Sequence, residues 1–245
     1  MDLSASTVLV TGANRGFGRA LAAELLARGA TVYAGARNPD QVDLPGAEPI
    51  ALDVTDPASA TAAAEATGDV TVLVSNAGPS TGADLLAAGP DDIRLEMDTR
   101  FFGTLCVIRA FAPQIAAGGG GAILNALSDL SWVSFPEPGA HCAAKSAEWS
   151  LPNALRVQLA DQNIRVAGLH VGYMDTDMVR DVDAAKSGPA DIARIAVDGI
   201  AAGAYEILAD SAARQAQAAL SQGVLALYPQ LPRPHGSPRR AGGCR

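Results

Sequence analysis

The sequence predicts an α/β fold, a single doubly wound parallel sheet with helices on both faces. Three observations predict it. Apolar, β-branched runs alternate with Ala- and Leu-rich runs of helical spacing along nearly the whole chain. A glycine-rich turn stands where the first strand hands over to the first helix. The 245 residues are 49% hydrophobic but only 4% aromatic. The core must therefore be built from Ala, Val, Leu and Ile, which suits helices packed closely on an aliphatic sheet.

The elements follow in order. Thr7–Gly12 (TVLVTG) reads as a buried strand and Gly18–Gly29 as a helix that stops on glycine. Ala30–Arg37 is a second strand and Glu48–Asp56 a third, followed by an Ala-rich helix to Thr67. Val70–Gly78 is the fourth strand. A long helix is expected from Pro90 to Ala116, ended by a run of glycines. Ala122–Ser128 is the fifth strand, and helix resumes from Pro138 to Gln162, with Pro152 a candidate bend. Ile164–Gly172 is the sixth strand. A helix at Ala190–Ala202 and a short strand at Tyr205–Leu208 close the series. No repeat and no second domain is visible, so residues 1–232 are expected to form one domain. Residues 233–245 are rich in Pro, Gly and Arg and are expected to be a disordered tail.

Composition excludes several partners. The net charge is -8 and no basic stripe marks the body of the chain, which argues against nucleic acid. The N-terminus lacks a basic segment before an apolar one, and no run is long enough to span a bilayer, so no membrane partner is expected. Cys106, Cys142 and Cys244 fit no zinc spacing; no metal site is expected, and a reducing, cytoplasmic setting is.

Thr11–Gly18 reads TGANRGFG. A turn that brings backbone N–H groups against a pyrophosphate needs residues without a Cβ, here Gly12, Gly16 and Gly18. Asn14, Arg15 and Phe17 complete the candidate cradle. The second strand ends in Arg37, with no acid at the place where a carboxylate would hold a ribose 2′-hydroxyl. A guanidinium suits a 2′-phosphate instead, and Arg15 adds a second charge. NADP(H) is therefore the expected cofactor.

With these motifs the chain resembles the short-chain dehydrogenase/reductase family, over nearly everything from Thr7 to Tyr228. TGANRGFG is similar to its glycine loop, so the fold is expected to be of the Rossmann type. LDVTD resembles its adenine segment, implying contacts from Asp53 and Val54. Asn76, Ala77 and Gly78 resemble its Asn-Ala-Gly marker, and Thr176 the threonine near the nicotinamide amide. Ser128 matches the serine that holds the substrate oxygen, and Lys145 the lysine that holds the nicotinamide ribose. Two positions depart from the pattern. The proton-carrying tyrosine, thirteen residues after Ser128 and four before Lys145, is His141; the helix asparagine is Arg100. The resemblance also implies a homodimer or homotetramer paired through the long helices.

The substitutions alter the chemistry. Imidazole titrates near pH 6.5 and a phenol near 10. Lys145 one turn away and Arg100 in the same pocket should hold His141 neutral, a good base and a poor acid. The expected function is NADP(H)-dependent oxidation or reduction of a small or mid-sized alcohol or carbonyl compound, with Ser128, His141, Lys145 and Arg100 as site residues. An anionic substrate group beside Arg100 would reverse the balance and make His141 a donor. A dehydratase, isomerase or cyclase using His141 as base is the alternative, and an inactive NADP-binding protein the third reading. Cys142 and His170 are expected to be structural, and Trp132 and Trp149 to line the substrate side or fill core.

Overall fold

The structure is a computed structural model that describes residues 1–232. The expected tail, residues 233–245, lies outside the described residues.

Seven parallel strands form one sheet in the order β3-β2-β1-β4-β5-β6-β7. They are β1 Thr7–Thr11, β2 Thr31–Ala36, β3 Glu48–Ala51, β4 Val72–Ser75, β5 Gly121–Ala126, β6 Ile164–His170 and β7 Glu206–Leu208. The helices are α1 Gly16–Ala27, α2 Pro57–Ala66, α3 Pro90–Met97, α4 Thr104–Ala117, α5 Gly139–Gln158, α6 Pro189–Ala202, α7 Ser211–Leu220 and α8 Val224–Leu227. The chain winds outward from β1 to β3, then crosses back to set β4 beside β1. That reversal opens a crevice at the carboxyl ends of β1 and β4, the general place for a ligand in such sheets.

Alternation along the strands divides the core. Val8 and Val10 face one side with Leu21 and Leu25 of α1 and Val197 of α6. Leu9 and Leu73 face the other with Phe111 of α4 and Leu155 of α5. Each such aliphatic side chain contributes roughly 1.5–3 kcal/mol on burial. Because both faces are covered, the strands carry apolar runs rather than an apolar–polar alternation.

Three expectations change in detail. The long helix from Pro90 is interrupted, because Asp98–Gly103 takes one π-helical stretch between α3 and α4. There Gly103 lies against Val54: a Cβ on it would stand 3.0 Å from Val54 Cγ2. The third strand is shorter than its apolar run, ending at Ala51. Helix α5 ends at Gln158, short of the expected Gln162, and is continuous past Pro152. Helices α7 and α8 were not foreseen; α7 is capped by the Asp210 carboxylate, which accepts from Ala213 N–H at 2.9 Å.

Candidate active site

The glycine loop sits at the switch point. Gly12 and Gly16 take φ of 66° and 54°, where only glycine is unstrained. A Cβ on Gly18 would stand 2.2 Å from the Gly12 carbonyl oxygen, so α1 can begin this close to β1 only with glycine there. Thr11 Oγ1 accepts the N–H of Asn76 at 2.9 Å and of Ala77 at 3.0 Å, and Asn76 Nδ2 donates to the Thr11 carbonyl at 3.1 Å. The end of β4 is thereby clamped to the loop. No side chain caps the start of α1, whose first N–H groups are left for an anion. Thr176 arrives from the far side of the crevice, its methyl 3.8 Å from where a Gly16 Cβ would stand.

Arg15 and Arg37 are exposed and form no ion pair among the described residues. Asp53 accepts two hydrogen bonds from Thr55, at 3.0 and 2.7 Å. Those bonds, with help from the Arg37 charge, hold its carboxyl below the usual range. Buried Val54 lies beneath it. These residues fit a nicotinamide dinucleotide: N–H donors for the pyrophosphate, and cations at the edge of β2.

On the other side of the crevice, α3 and α5 build a charged cluster. His141, one turn into α5, is buried and sets Nδ1 3.3 Å from Glu96 Oε2. Glu96 is completely buried. It accepts from Arg100 Nε at 3.1 Å and from Thr81 N–H at 2.7 Å. Arg100 also donates to the Pro79 carbonyl. Its guanidinium presses on the backbone of Gly78, where any Cβ would stand 2.6 Å from Nη1. Burial alone would raise the Glu96 carboxyl; hydrogen bonds from His141 and Thr81 and the Arg100 charge bring it down to about 2. Burial, then the Arg100 charge, pushes His141 down to about 4 against the pull of Glu96. At neutral pH the couple is a carboxylate and a neutral imidazole. Glu96 being acceptor only, the imidazole proton sits on Nδ1, and Nε2 carries the lone pair.

The sequence leaves room for an anionic substrate group beside Arg100. In the structure Arg100 is already paired with Glu96, and His141 stays neutral because burial and the Arg100 charge outweigh that carboxylate.

Lys145, two turns into α5, is also committed. Nζ donates to the Ala126 carbonyl at 2.6 Å and to Glu148 at 2.8 Å. Burial lowers it to about 8 against the Glu148 charge. One of its three N–H donors remains for a ribose hydroxyl. Ser128 follows β5 and caps a short turn; its hydroxyl lies 2.9 Å from Asp129 Oδ1 and 3.2 Å from the Val171 carbonyl. It makes no hydrogen bond to His141 or Lys145 among the described residues. Thus Arg100 and His141 are brought together through Glu96, while Ser128 stands apart on Asp129.

Glu96, Glu148 and Asp129 were missed. Glu96 is four residues before Arg100 and Glu148 three after Lys145, spacings that put each acid beside its cation on a helix. His170 is structural, as expected: it contacts the Ser128 carbonyl at 3.1 Å and stacks 3.7 Å from Trp132. Cys142 is fully buried.

Residues 6–187 match the family described as short chain dehydrogenase. The chain belongs to that family of oxidoreductases. A short-chain dehydrogenase from Burkholderia cenocepacia, solved in complex with NADP, superposes with a TM-score of 0.90 at 33% identity, covering 96% of this chain and 100% of that one. D-erythrulose reductase of Gallus gallus is 34% identical over 178 residues, 70% of this chain and 72% of that protein. NADPH-dependent 1-acyldihydroxyacetone phosphate reductase of Schizosaccharomyces pombe is 31% identical over 69% of this chain and 60% of its own length. No helix among the described residues of this short-chain dehydrogenase is long and apolar enough to cross a membrane.

Proposed function

We propose that the protein is an NADP(H)-dependent oxidoreductase that oxidises small alcohols more readily than it reduces carbonyls. One observation carries this reading: His141 Nδ1 stands 3.3 Å from Glu96 Oε2, which leaves Nε2 without a hydrogen-bond partner among the described residues. Nε2 is then a base at the position where the family places its phenol. A bound nicotinamide supplies the hydride acceptor. Arg15 and Arg37 suit a 2′-phosphate, and the remaining N–H of Lys145 suits a ribose hydroxyl. Ser128 holds the substrate oxygen by turning its one proton from Asp129 and Val171 towards it, which leaves the alcohol's own proton to point at His141. His141 Nε2 takes the hydroxyl proton, and Arg100 keeps the resulting imidazolium from becoming the resting form.

Exposed Phe102 in the π-helical stretch and Val157 on α5 support a homodimer or homotetramer. The thiols of Cys106 and Cys142, unpaired among the described residues, suit a reducing cytoplasm.

The test is NADPH formation from NADP+ and a panel of small alcohols, with the parent and His141→Ala. The loss of a proton carrier lowers kcat on the order of 10² to 10⁴-fold while NADPH affinity is kept. Full activity in His141→Ala would remove the reading. The same neutral imidazole also suits proton abstraction without redox, as in an isomerase or dehydratase. A His141-dependent reaction that needs no added nucleotide would favour that alternative.

A further inference from the structure

Asp129, the residue after Ser128, lines a cavity of about 260 Å³ together with Phe135, Tyr173, Lys186, Ser211 and others. The cavity lies at the carboxyl ends of β5, β6 and β7, on the opposite side of the crevice from the glycine loop. Gly172 and Tyr173 border the cavity, and the same segment reaches the loop four residues later at Thr176. Four residues of chain span at most roughly 13 Å, which sets an upper limit on how far this segment separates the cavity from the loop.

Asp129 is the unusual residue in that wall. Oδ1 is occupied by the Ser128 hydroxyl at 2.9 Å. Oδ2 makes no hydrogen bond among the described residues, and it lies 3.6 Å from where a Cβ on Gly172 would stand. The neighbouring Asp210 is different: its two oxygens are spent on Ala213 N–H and Gly172 N–H, both at 2.9 Å. Lys186 lies in the same wall, yet it forms no ion pair with either acid among the described residues and donates to the Arg180 carbonyl at 3.2 Å. Asp129 therefore offers the cavity an acceptor that the protein does not use, one hydrogen bond from the serine that would hold the reacting oxygen. Burial and the Asp210 charge hold its carboxyl above the usual range, against the Ser128 hydrogen bond. A hydroxyl donor suits such a group, and a substrate carboxylate does not.

We infer that Asp129 selects vicinal diols: the reacting hydroxyl sits on Ser128 and a hydroxyl on the adjacent carbon donates to Asp129. Oδ2 belongs to the same carboxylate as the Oδ1 that stands 2.9 Å from the Ser128 hydroxyl, which puts it within reach of a hydroxyl on the carbon next to the reacting one. Hydroxyls on carbons further apart diverge, and a lone hydroxyl leaves Asp129 unsatisfied. This rests on the oxidoreductase reading above and deepens it by naming the substrate class.

The experiment compares butane-2,3-diol, butane-1,3-diol and butan-2-ol as substrates with NADP+, for the parent enzyme, Asp129→Asn and Asp129→Ala. A hydrogen bond to a charged acceptor is worth about a tenfold to hundredfold preference. The parent is expected to show that preference in kcat/KM for the 2,3-diol, chiefly through KM. Asp129→Asn, which keeps the shape and the fold, is expected to lower the preference ratio about tenfold. Equal kcat/KM for all three compounds in the parent, or an unchanged ratio in a folded Asp129→Asn, overturns the inference and leaves the oxidoreductase reading standing. No oxidation of any alcohol by a parent that binds NADPH overturns both.

Discussion

The depressed His141 makes a sharp claim about pH. Consider NADP+-dependent alcohol oxidation followed from about pH 4.5 to about pH 9. The imidazole must be neutral to accept a proton. Its ordinary value is 6.5, and burial with the Arg100 charge places it at about 4. At about pH 5.5 an ordinary histidine is only about one-tenth neutral, whereas one titrating at about 4 is nearly all neutral. The rate at that pH should thus stay close to its own plateau, whereas a solvated imidazole would have fallen to about one-tenth of its plateau. The same series on His141→Tyr supplies the contrast. A phenol titrates near 10, so that variant's oxidation should climb about tenfold per pH unit through the neutral range if the longer side chain reaches the alcohol. The assay is the initial rate of NADPH formation at saturating alcohol, with circular dichroism at each pH to confirm that the protein is folded. A parent midpoint near 6.5 would show that the imidazole is solvated and that the Arg100 and burial argument is wrong. A parent rate that rises steadily to pH 9 would show that a group other than His141 takes the proton.

Three further outcomes follow from the geometry. Arg37→Ala should weaken NADPH binding about tenfold to a hundredfold while leaving NADH binding nearly unchanged, measured by fluorescence titration of both nucleotides. Gly18→Ala should abolish binding of either nucleotide, because its Cβ meets the Gly12 carbonyl oxygen at 2.2 Å; a variant that binds normally would show the loop to be pliable. Acid stability should fall early. His141 and His170 both move from 6.5 to about 4, each with burial as the first cause. The unfolded chain takes up those protons below 6.5 and the folded chain does not until about 4. Stability is therefore lost as pH falls through that window, on the order of 3 kcal/mol for each histidine across the whole of it and about 2 kcal/mol by pH 5. Urea midpoints at about pH 7.5 and pH 5 read it, and His170→Gln should roughly halve the loss.

The fold was legible because its signals are local and repeated. Apolar runs such as VLV in β1, the glycine that stops α1 and the loop at the first junction each point to a parallel sheet without reference to distant residues. Arg37 and the glycine loop were legible for the same reason, since one stretch of chain carries each. The charged cluster was only half visible. His141 and Arg100 stood out as departures from a family pattern, but their joint partner Glu96 lies on a different helix from His141. Only the fold brings α3 against α5. The i to i+4 spacing of Glu96 and Arg100 was in plain view, yet on an unplaced helix such a pair reads as an ordinary surface contact. Asp129 was hidden differently. Nothing about an aspartate after a serine reveals that one oxygen will be used and the other left facing a cavity. The π-helical stretch at Asp98–Gly103 carries no composition signal at all.

The buried ions of this site come in matched sets: Glu96 with Arg100, and Lys145 with Glu148. Removing one member strands the other in a low-dielectric interior at about 3–5 kcal/mol. Placing an asparagine at position 100 would take from Glu96 its only buried cation among the described residues and leave the carboxylate on the Thr81 N–H and His141, so the histidine would be drawn towards protonation. Mutational routes between the phenol and imidazole versions of this enzyme run through paired exchanges, with the acid on α3 changing in step with the cation it neutralises.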